Sequence, residues 1–480
     1  MNDDEKLLRS LGYEQELSRR MSGFSNFAIS LSIICILAGG ITSFHIGLCS
    51  AGGASIGIGW PLVGLFSLAV ALTMSQVASA FPTAGGLYHW GSILGGRTWG
   101  WLTAWFNLAG LVTVLAAINR GAYDFTASVF SLSPGDAHAD TIRTVVVVLI
   151  TLSQALLNHY GIRLTTRLTD LSGWLILIVA TILTIALLTA VPHWDWSRLW
   201  TFTNYSGLPE SSPVFPKQEN VLWLFALGFL LPAYTITGFD ASAHTSEETV
   251  GAAVNVPRGI IRAVLVSGLF GWAMLIALLL AMPSLEEGVN KGADVVPWVM
   301  RSVLSPALSN ILLAGIVVAQ YLCGVAALTS SSRMTYAFAR DGGLPCSRWL
   351  SRVSAKTRGP SVAVWATAGA GVFFTVFVPY ATIAAVCTIF LYLSYVLPIA
   401  AGFMAHGRTW KRMGPFDLGA WYRPLAAVST LGCCFLFVIA MQPPNEQALG
   451  WVIATIVLLL VVWFGFERKR FKGPPQVPQP

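Results

Sequence analysis

The sequence predicts an all-α integral membrane protein that crosses the bilayer twelve times. Three observations carry that expectation. Of 480 residues, 55% are hydrophobic and only 11% charged, with a mean hydropathy of +0.67. Soluble domains carry about 25% charged residues. Apolar stretches of about 20 residues, the length a helix needs to cross a hydrocarbon core, recur along the whole chain. The polar segments between them are too short to fold alone.

The spans are expected near 25–47, 60–80, 98–118, 142–158, 170–191, 221–240, 260–282, 308–338, 361–378, 381–404, 424–441 and 447–466. They make one membrane domain over 25–466, with helices 1–10 to about 404 as its core and helices 11 and 12 after it. Polar tails cover 1–24 and 467–480. The start, "MNDDEKLLRSLGYEQELSRRMSGF", mixes acids and bases, and the first apolar run is too long for a signal-peptide core. It is expected to stay as helix 1. The end, "ERKRFKGPPQVPQP", reads as a disordered tail.

The formal charge of +7 reflects topology, not a nucleic-acid footprint. With an even number of spans, both tails share one side. Only Arg120, Arg143, Arg198, Lys217, Lys291 and Arg301 fall on the other, which leaves 23 of the 29 basic residues on the tail side. Basic residues concentrate in cytoplasmic loops, so both tails are expected in the cytoplasm of a cell bounded by this plasma (inner) membrane. Trp99, Trp101, Trp105, Trp194, Trp196 and Trp200 sit near span ends and are expected as interface anchors.

The seven cysteines contain no CxxC, and the seven histidines form no cluster, so no metal site and no cofactor is expected. Neither glycine-rich stretch, "FPTAGG" at 81–86 or "RDGGLP" near 340, lies between a strand and a helix, which excludes a nucleotide-binding loop. The chain is not expected to be an enzyme or an ATP-driven pump. A receptor of similar architecture would need a long signalling tail, and both tails are short.

Two spans carry interruptions. Helix 1 reads "FAISLSIICILAGGITSFHIGL", with Gly39-Gly40 near its centre and Thr42 beyond. Helix 6 carries Pro232, then "YTITGFDASAHTSEE" from Tyr234 to Glu248, with Gly238 and Asp240. Proline removes a backbone donor, glycine loosens the helix, and a carboxylate in a bilayer costs about 2.5–3.5 kcal/mol on insertion scales. The two helices lie five spans apart and so run in opposite directions. Matched interruptions in two inverted halves point to a transporter's binding site. Unwound backbone in a medium without water must be paired, and a bound solute can pair it. Free amides at a half-helix start suit a carboxylate, and free carbonyls suit an ammonium.

Three stretches in compatible order, "SQVASAFPTAGGLYHWGSILGG", "GFDASAHTSEETVGAAVNVPRGI" and "SSSRMTYAFARDGGLP", resemble amino acid permeases. The similarity is to the amino acid–polyamine–organocation superfamily, within it to the amino acid/choline transporter branch that includes γ-aminobutyrate permeases. It runs from about Leu11 to at least Pro360, and the last helices match in hydropathy only. The resemblance implies a five-plus-five inverted-repeat core with broken helices 1 and 6, alternating access, and a solute beside the two breaks. Carried over by position, the substrate site comprises Ala38, Gly39, Gly40, Ile41 and Thr42 on helix 1 and Thr237, Gly238, Phe239 and Asp240 on helix 6. The family often has a hydroxyl where this chain has Ala38. Tyr234 and Phe239 flank the helix 6 break and suit a gate or an ammonium contact. Tyr321 and Tyr336 are further aromatic candidates.

Asp240 is expected to hold a substrate amine, take a proton or brace the break. Glu247 and Glu248, about two turns on, are expected at the inner mouth, paired with Arg258 or another loop base. Some relatives place a lysine on helix 5 in place of a sodium ion, and "LSGWLILIVATILTIALL" has none. Thr329, Ser330 and Ser331 on helix 8 could complete a sodium site, and Ser330 and Ser331 could serve a gate. Coupling to a proton, coupling to sodium, and exchange all stay open. The expected partners are the bilayer and an amino acid, or alternatively γ-aminobutyrate, choline or a polyamine.

Overall fold

A computed structural model describes residues 3–130, 139–378 and 380–475, excepting the side chains of 380, 381 and 384. The last five residues of the expected C-terminal tail lie outside the described residues. Among those described, every regular element is a helix and none is a strand.

A surface helix, α1 (Asp3–Ser10), precedes the first membrane helix, which comes in three pieces: α2 (Gly23–Ile34), α3 (Gly39–Thr42) and α4 (Phe44–Ala51). The Ser22 hydroxyl caps α2 by accepting from the Ser25 amide. A π-helical turn at Ser55–Gly59 leads into α5 (Trp60–Ala80), followed by α6 (Leu87–Gly95), α7 (Arg97–Phe130), α8 (Ala139–His159) and α9 (Ile162–Ala190). Helix 6 is also in pieces: α10 (Val221–Gly228), capped by the Asn220 side chain, then α11 (Leu230–Thr235) and α12 (Ala241–His244). Then come α13 (Ala252–Ala281), the short α14 (Leu285–Asn290) and α15 (Val295–Val303), and α16 (Pro306–Arg340). The remaining helices are α17 (Ser347–Leu350), α18 (Ser361–Phe377), α19 (Tyr380–Ala405), α20 (Tyr422–Ala440), α21 (Glu446–Val462) and α22 (Arg468–Arg470).

Ten helices among the described residues are long and apolar enough to cross a membrane. Two shorter apolar helices, Val221–Thr235 and Ser361–Phe377, stand at the expected sixth and ninth spans. Every expected apolar stretch is helical apart from the breaks in the first and sixth. The third runs twelve residues past its expected end at 118, because its polar continuation is satisfied. Asn119 donates to Thr151 and Gln154 on α8, and Arg120 pairs with Asp124 one turn on.

Packing sorts the helices into inside and outside. α7 lies against α19 and α16, and α13 against α5 and α2. Leu149, Leu431 and Val461 on α8, α20 and α21 are exposed, as lipid-facing residues are. Trp194, Trp196 and Trp200 are exposed, as anchors would be, but Trp101 is fully buried against Trp105 and Trp463. That tryptophan is core. Two expected tails are also tied down. Leu8 and Leu17 are buried, and near the other end Glu467 pairs with Arg470 while Phe471 packs on Tyr88 and Phe338.

Candidate substrate cavity and inner gate

The break in helix 1 begins one turn before its glycine pair. α2 stops at Cys35, whose φ of 27° lies where a non-glycine residue rarely goes, and the helix restarts at Gly39. Gly39 and Gly40 therefore open the second piece and do not form the gap. Their roles differ. A Cβ on Gly39 would lie 3.0 Å from the Thr235 Cα on α11, whereas one on Gly40 would make ordinary contacts with Met274 and Leu275. Gly39 lets helices 1 and 6 touch at their breaks.

Among the described residues, the amides of Ile36, Leu37, Gly40 and Ile41 have no backbone acceptor. Among the described residues, the carbonyls of Thr235, Ile236 and Thr237 in the helix 6 break likewise accept no backbone hydrogen bond. The helix 6 break turns on Gly238, with φ +84°. A Cβ there would stand 2.3 Å from Ile33 Cγ2, so only glycine fits.

Between the breaks lies a narrow cavity of about 30 Å³. Ala38, Gly39 and Thr42 line it from helix 1, Tyr234 and Thr237 from helix 6, Val114, Ile118 and Gly121 from α7, and Gln320 and Cys323 from α16. Five of the ten expected substrate residues thus line the cavity. Gly40, Ile41, Gly238, Phe239 and Asp240 stand behind it. Phe239 packs on Tyr395 and its carbonyl accepts from Ser30. Among the described residues, no acid or base lines the cavity.

Gln320 was not anticipated. It is 1% exposed, and neither its Oε1 nor its Nε2 has a partner. A lone amide inside the apolar run "GIVVAQYLCG" was the available signal, because polar side chains in a membrane helix face the interior.

Asp240 is fully buried behind the cavity wall, not in it. It accepts from Asn107 on α7 (3.0 Å) and Tyr395 on α19 (2.8 Å), and lies 3.2 Å from His244 Nε2. None of these three partners is legible locally, since each comes from a different segment or from a histidine with no motif around it.

Glu247 and Glu248 are buried in ion pairs at the end of helix 6. Their partners come from α16. Arg340 grips Glu247 with two contacts of 3.0 Å, and Arg333 grips Glu248 at 2.8 and 3.2 Å. Arg258, one of the expected partners, is exposed elsewhere, and the bases that pair belong to α16. Ala84 also donates its amide to Glu247, which fixes the 81–86 stretch as a buried turn ahead of α6. The N-terminal segment covers this cluster: Arg19 donates to the carbonyls of Ser246 and Thr249, and Tyr13 lies under the Arg340 guanidinium. Tyr13 and Tyr88 both donate to Asp341, whose carboxyl is pushed above its ordinary range by burial against the pull of Arg340.

The helix 8 hydroxyls are mostly satisfied at home. Thr329 donates to Asn158 and Val325, and Ser331 bonds back to Ala327. Ser330 is buried without a partner, and none of the three lines the cavity. Tyr321 contacts Ser153 and Tyr336 contacts Glu16, both away from the cavity.

Residues 21–464 match the family described as amino acid permease. The chain belongs to that family. It is 33% identical to amino-acid permease BAT1 of Arabidopsis thaliana, over 99% of this chain and 96% of that one. It is 32% identical to the BAT1 homolog of Oryza sativa subsp. japonica, over 97% and 94%. A GABA-specific permease of Saccharomyces cerevisiae is 28% identical, over 93% of this chain and 79% of the relative. The protein is an integral membrane amino acid transporter and not an enzyme, in keeping with the superfamily read from its motifs.

Proposed function

We propose that this permease moves a zwitterionic amino acid by alternating access, with the substrate held between the breaks of helices 1 and 6. The cavity beside both breaks carries this reading. The free carbonyl of Thr237 on the cavity wall suits the substrate ammonium, and the free amides of Gly40 and Ile41, just behind that wall, reach the substrate carboxylate when helix 1 shifts during the transport cycle. Tyr234 covers the amine end, and Gln320 faces the substrate's remaining atoms. Helices 1–10 form two inverted repeats of five in a twelve-span domain over 25–466, with helices 11 and 12 outside it. Both ends lie in the cytoplasm, and the membrane is the plasma membrane.

The absence of a charged side chain around the cavity, among the described residues, favours a substrate whose own charges are opposite and balanced. Choline and polyamines bring positive charge alone, and a buried unpaired cation is costly. γ-Aminobutyrate remains a natural candidate, since one relative is named for it. The buried Glu247–Arg340 and Glu248–Arg333 pairs serve as an inner gate that is closed in this conformation.

Uptake of radiolabelled amino acids, γ-aminobutyrate, choline and putrescine into proteoliposomes tests the reading. Saturable uptake of one or more zwitterions, and none of choline or putrescine, is expected. Uptake of putrescine alone would overturn the zwitterion assignment.

A further inference from the structure

Behind the cavity, Asp240 and His244 form a buried ionisable pair at the two ends of α12, both fully inaccessible. His244 Nε2 is 3.2 Å from Asp240 Oδ2, and its Nδ1 is 3.3 Å from the Ala84 carbonyl oxygen. Both neighbours of the ring are acceptors. A neutral imidazole has one N–H and one bare nitrogen, so with a bare carboxylate it would leave two lone pairs facing each other where no water can intervene. The arrangement is satisfied when Nδ1–H donates to Ala84 and a second proton sits between Nε2 and Oδ2. The pair then holds one proton more than carboxylate plus neutral imidazole, and its net charge is zero.

We propose that Asp240 and His244 bind the proton that this transporter carries with its amino acid. This rests on the transport reading above and adds the coupling ion to it. Hydrogen bonds tie the pair to both parts that must move. Tyr395 accepts from the Gly238 amide at 3.0 Å and donates to Asp240 Oδ1, so the carboxylate's charge reaches the break whose Thr237 walls the cavity. On the other side, Nδ1–H holds the Ala84 turn, and Gly86 approaches so closely that a Cβ there would lie 3.1 Å from Nδ1. When the proton passes to cytoplasmic water, the remaining ring proton faces Asp240 and Nδ1 is left bare against the Ala84 carbonyl. Ala84 then loses one of its two hydrogen bonds to helix 6, and the pair carries one negative charge until a proton reloads it. Ala84 also holds Glu247, so deprotonation loosens the inner gate.

The surroundings do not supply a competing charge at the ring. α7 presents Asn107, α2 presents Ser30, and α13 presents Gly259, with Arg258 and Arg262 exposed. The titratable neighbours are Tyr395 and Tyr392 on α19 and His89 on α6, which is bonded to Thr83. From α16, Arg333 and Arg340 are engaged by Glu248 and Glu247, one turn past His244.

The test uses the full chain in liposomes containing pyranine, with voltage clamped by potassium and valinomycin. An external mixture of the twenty amino acids and γ-aminobutyrate should acidify the lumen. In His244→Gln and Asp240→Asn, that acidification should fall by about tenfold or more, while counterflow of the same labelled mixture falls by less than about threefold. Undiminished acidification in His244→Gln overturns the proposal, as does wild-type uptake and counterflow without proton movement. If the wild type shows no uptake and no counterflow, the transport reading itself fails, and this proposal with it. Should neither variant insert, Tyr395→Phe carries the test, because it cuts the link to Gly238 and leaves the pair. It should lower protons moved per labelled amino acid, and an unaltered ratio there overturns the proposal.

Discussion

Gly238 and Gln320 show how much one position can decide. Gly238 combines a left-handed backbone with a contact that leaves no room for a Cβ beside Ile33. In Gly238→Ala the left-handed conformation costs about 1–2 kcal/mol and the overpacking about 1–3 more. Ile33 lines the cavity, so the strain is relieved into substrate space. Uptake should fall at least about tenfold, a loss of about 1.4 kcal/mol in binding, with membrane insertion preserved. Wild-type uptake by the variant would detach this break from the transport site. Gln320→Leu should show the opposite signs for stability and function. Two buried polar atoms without partners destabilise the empty protein by about 1–3 kcal/mol each, so their removal should raise its melting temperature in detergent. The same change should weaken substrate binding, seen as a raised KM for uptake. A lower melting temperature with unchanged KM would mean that Gln320 is a structural residue.

The interrupted helices and the ion-paired end of helix 6 are where elements act as units. Arg333 and Glu248 are both buried, and removing one partner leaves the other uncompensated. Arg333→Ala should destabilise by about 3–5 kcal/mol, and Arg333→Met with Glu248→Leu should recover most of that. Thermal melting of the purified variants checks both, and a single variant as stable as wild type would refute the pairing. The helix 6 interruption was readable because proline, glycine and an acid all mark it. Helix 1 was readable only to within a turn. Its glycines drew attention, yet the chain unwinds at Cys35 to Ala38, where no residue type announces a break. Cys35 and the neighbouring Ile33 carbonyl instead meet Ala319 and Cys323 of α16, a contact between segments almost 290 residues apart. Local propensity cannot report such a partner.

For the whole molecule, the basic-residue asymmetry predicts sidedness. Native Cys346 is exposed in the loop after α16. With Cys434 replaced, Cys346 should resist impermeant maleimide in intact cells, while Glu286→Cys between α13 and α15 should be labelled. The reverse pattern would invert the topology. The sequence by itself determined the membrane class, the apolar spans, the family and the helix 6 break, because those follow from hydropathy, spacing and local backbone chemistry. Only tertiary structure decided which polar residues meet. It moved Asp240 behind the cavity wall, set His244 between two acceptors, brought Arg333 and Arg340 to the paired glutamates, and turned Gln320 inward. In a medium without water each buried polar group must find its partner across the fold, and the identity of that partner is set by helix packing rather than by neighbours in the chain.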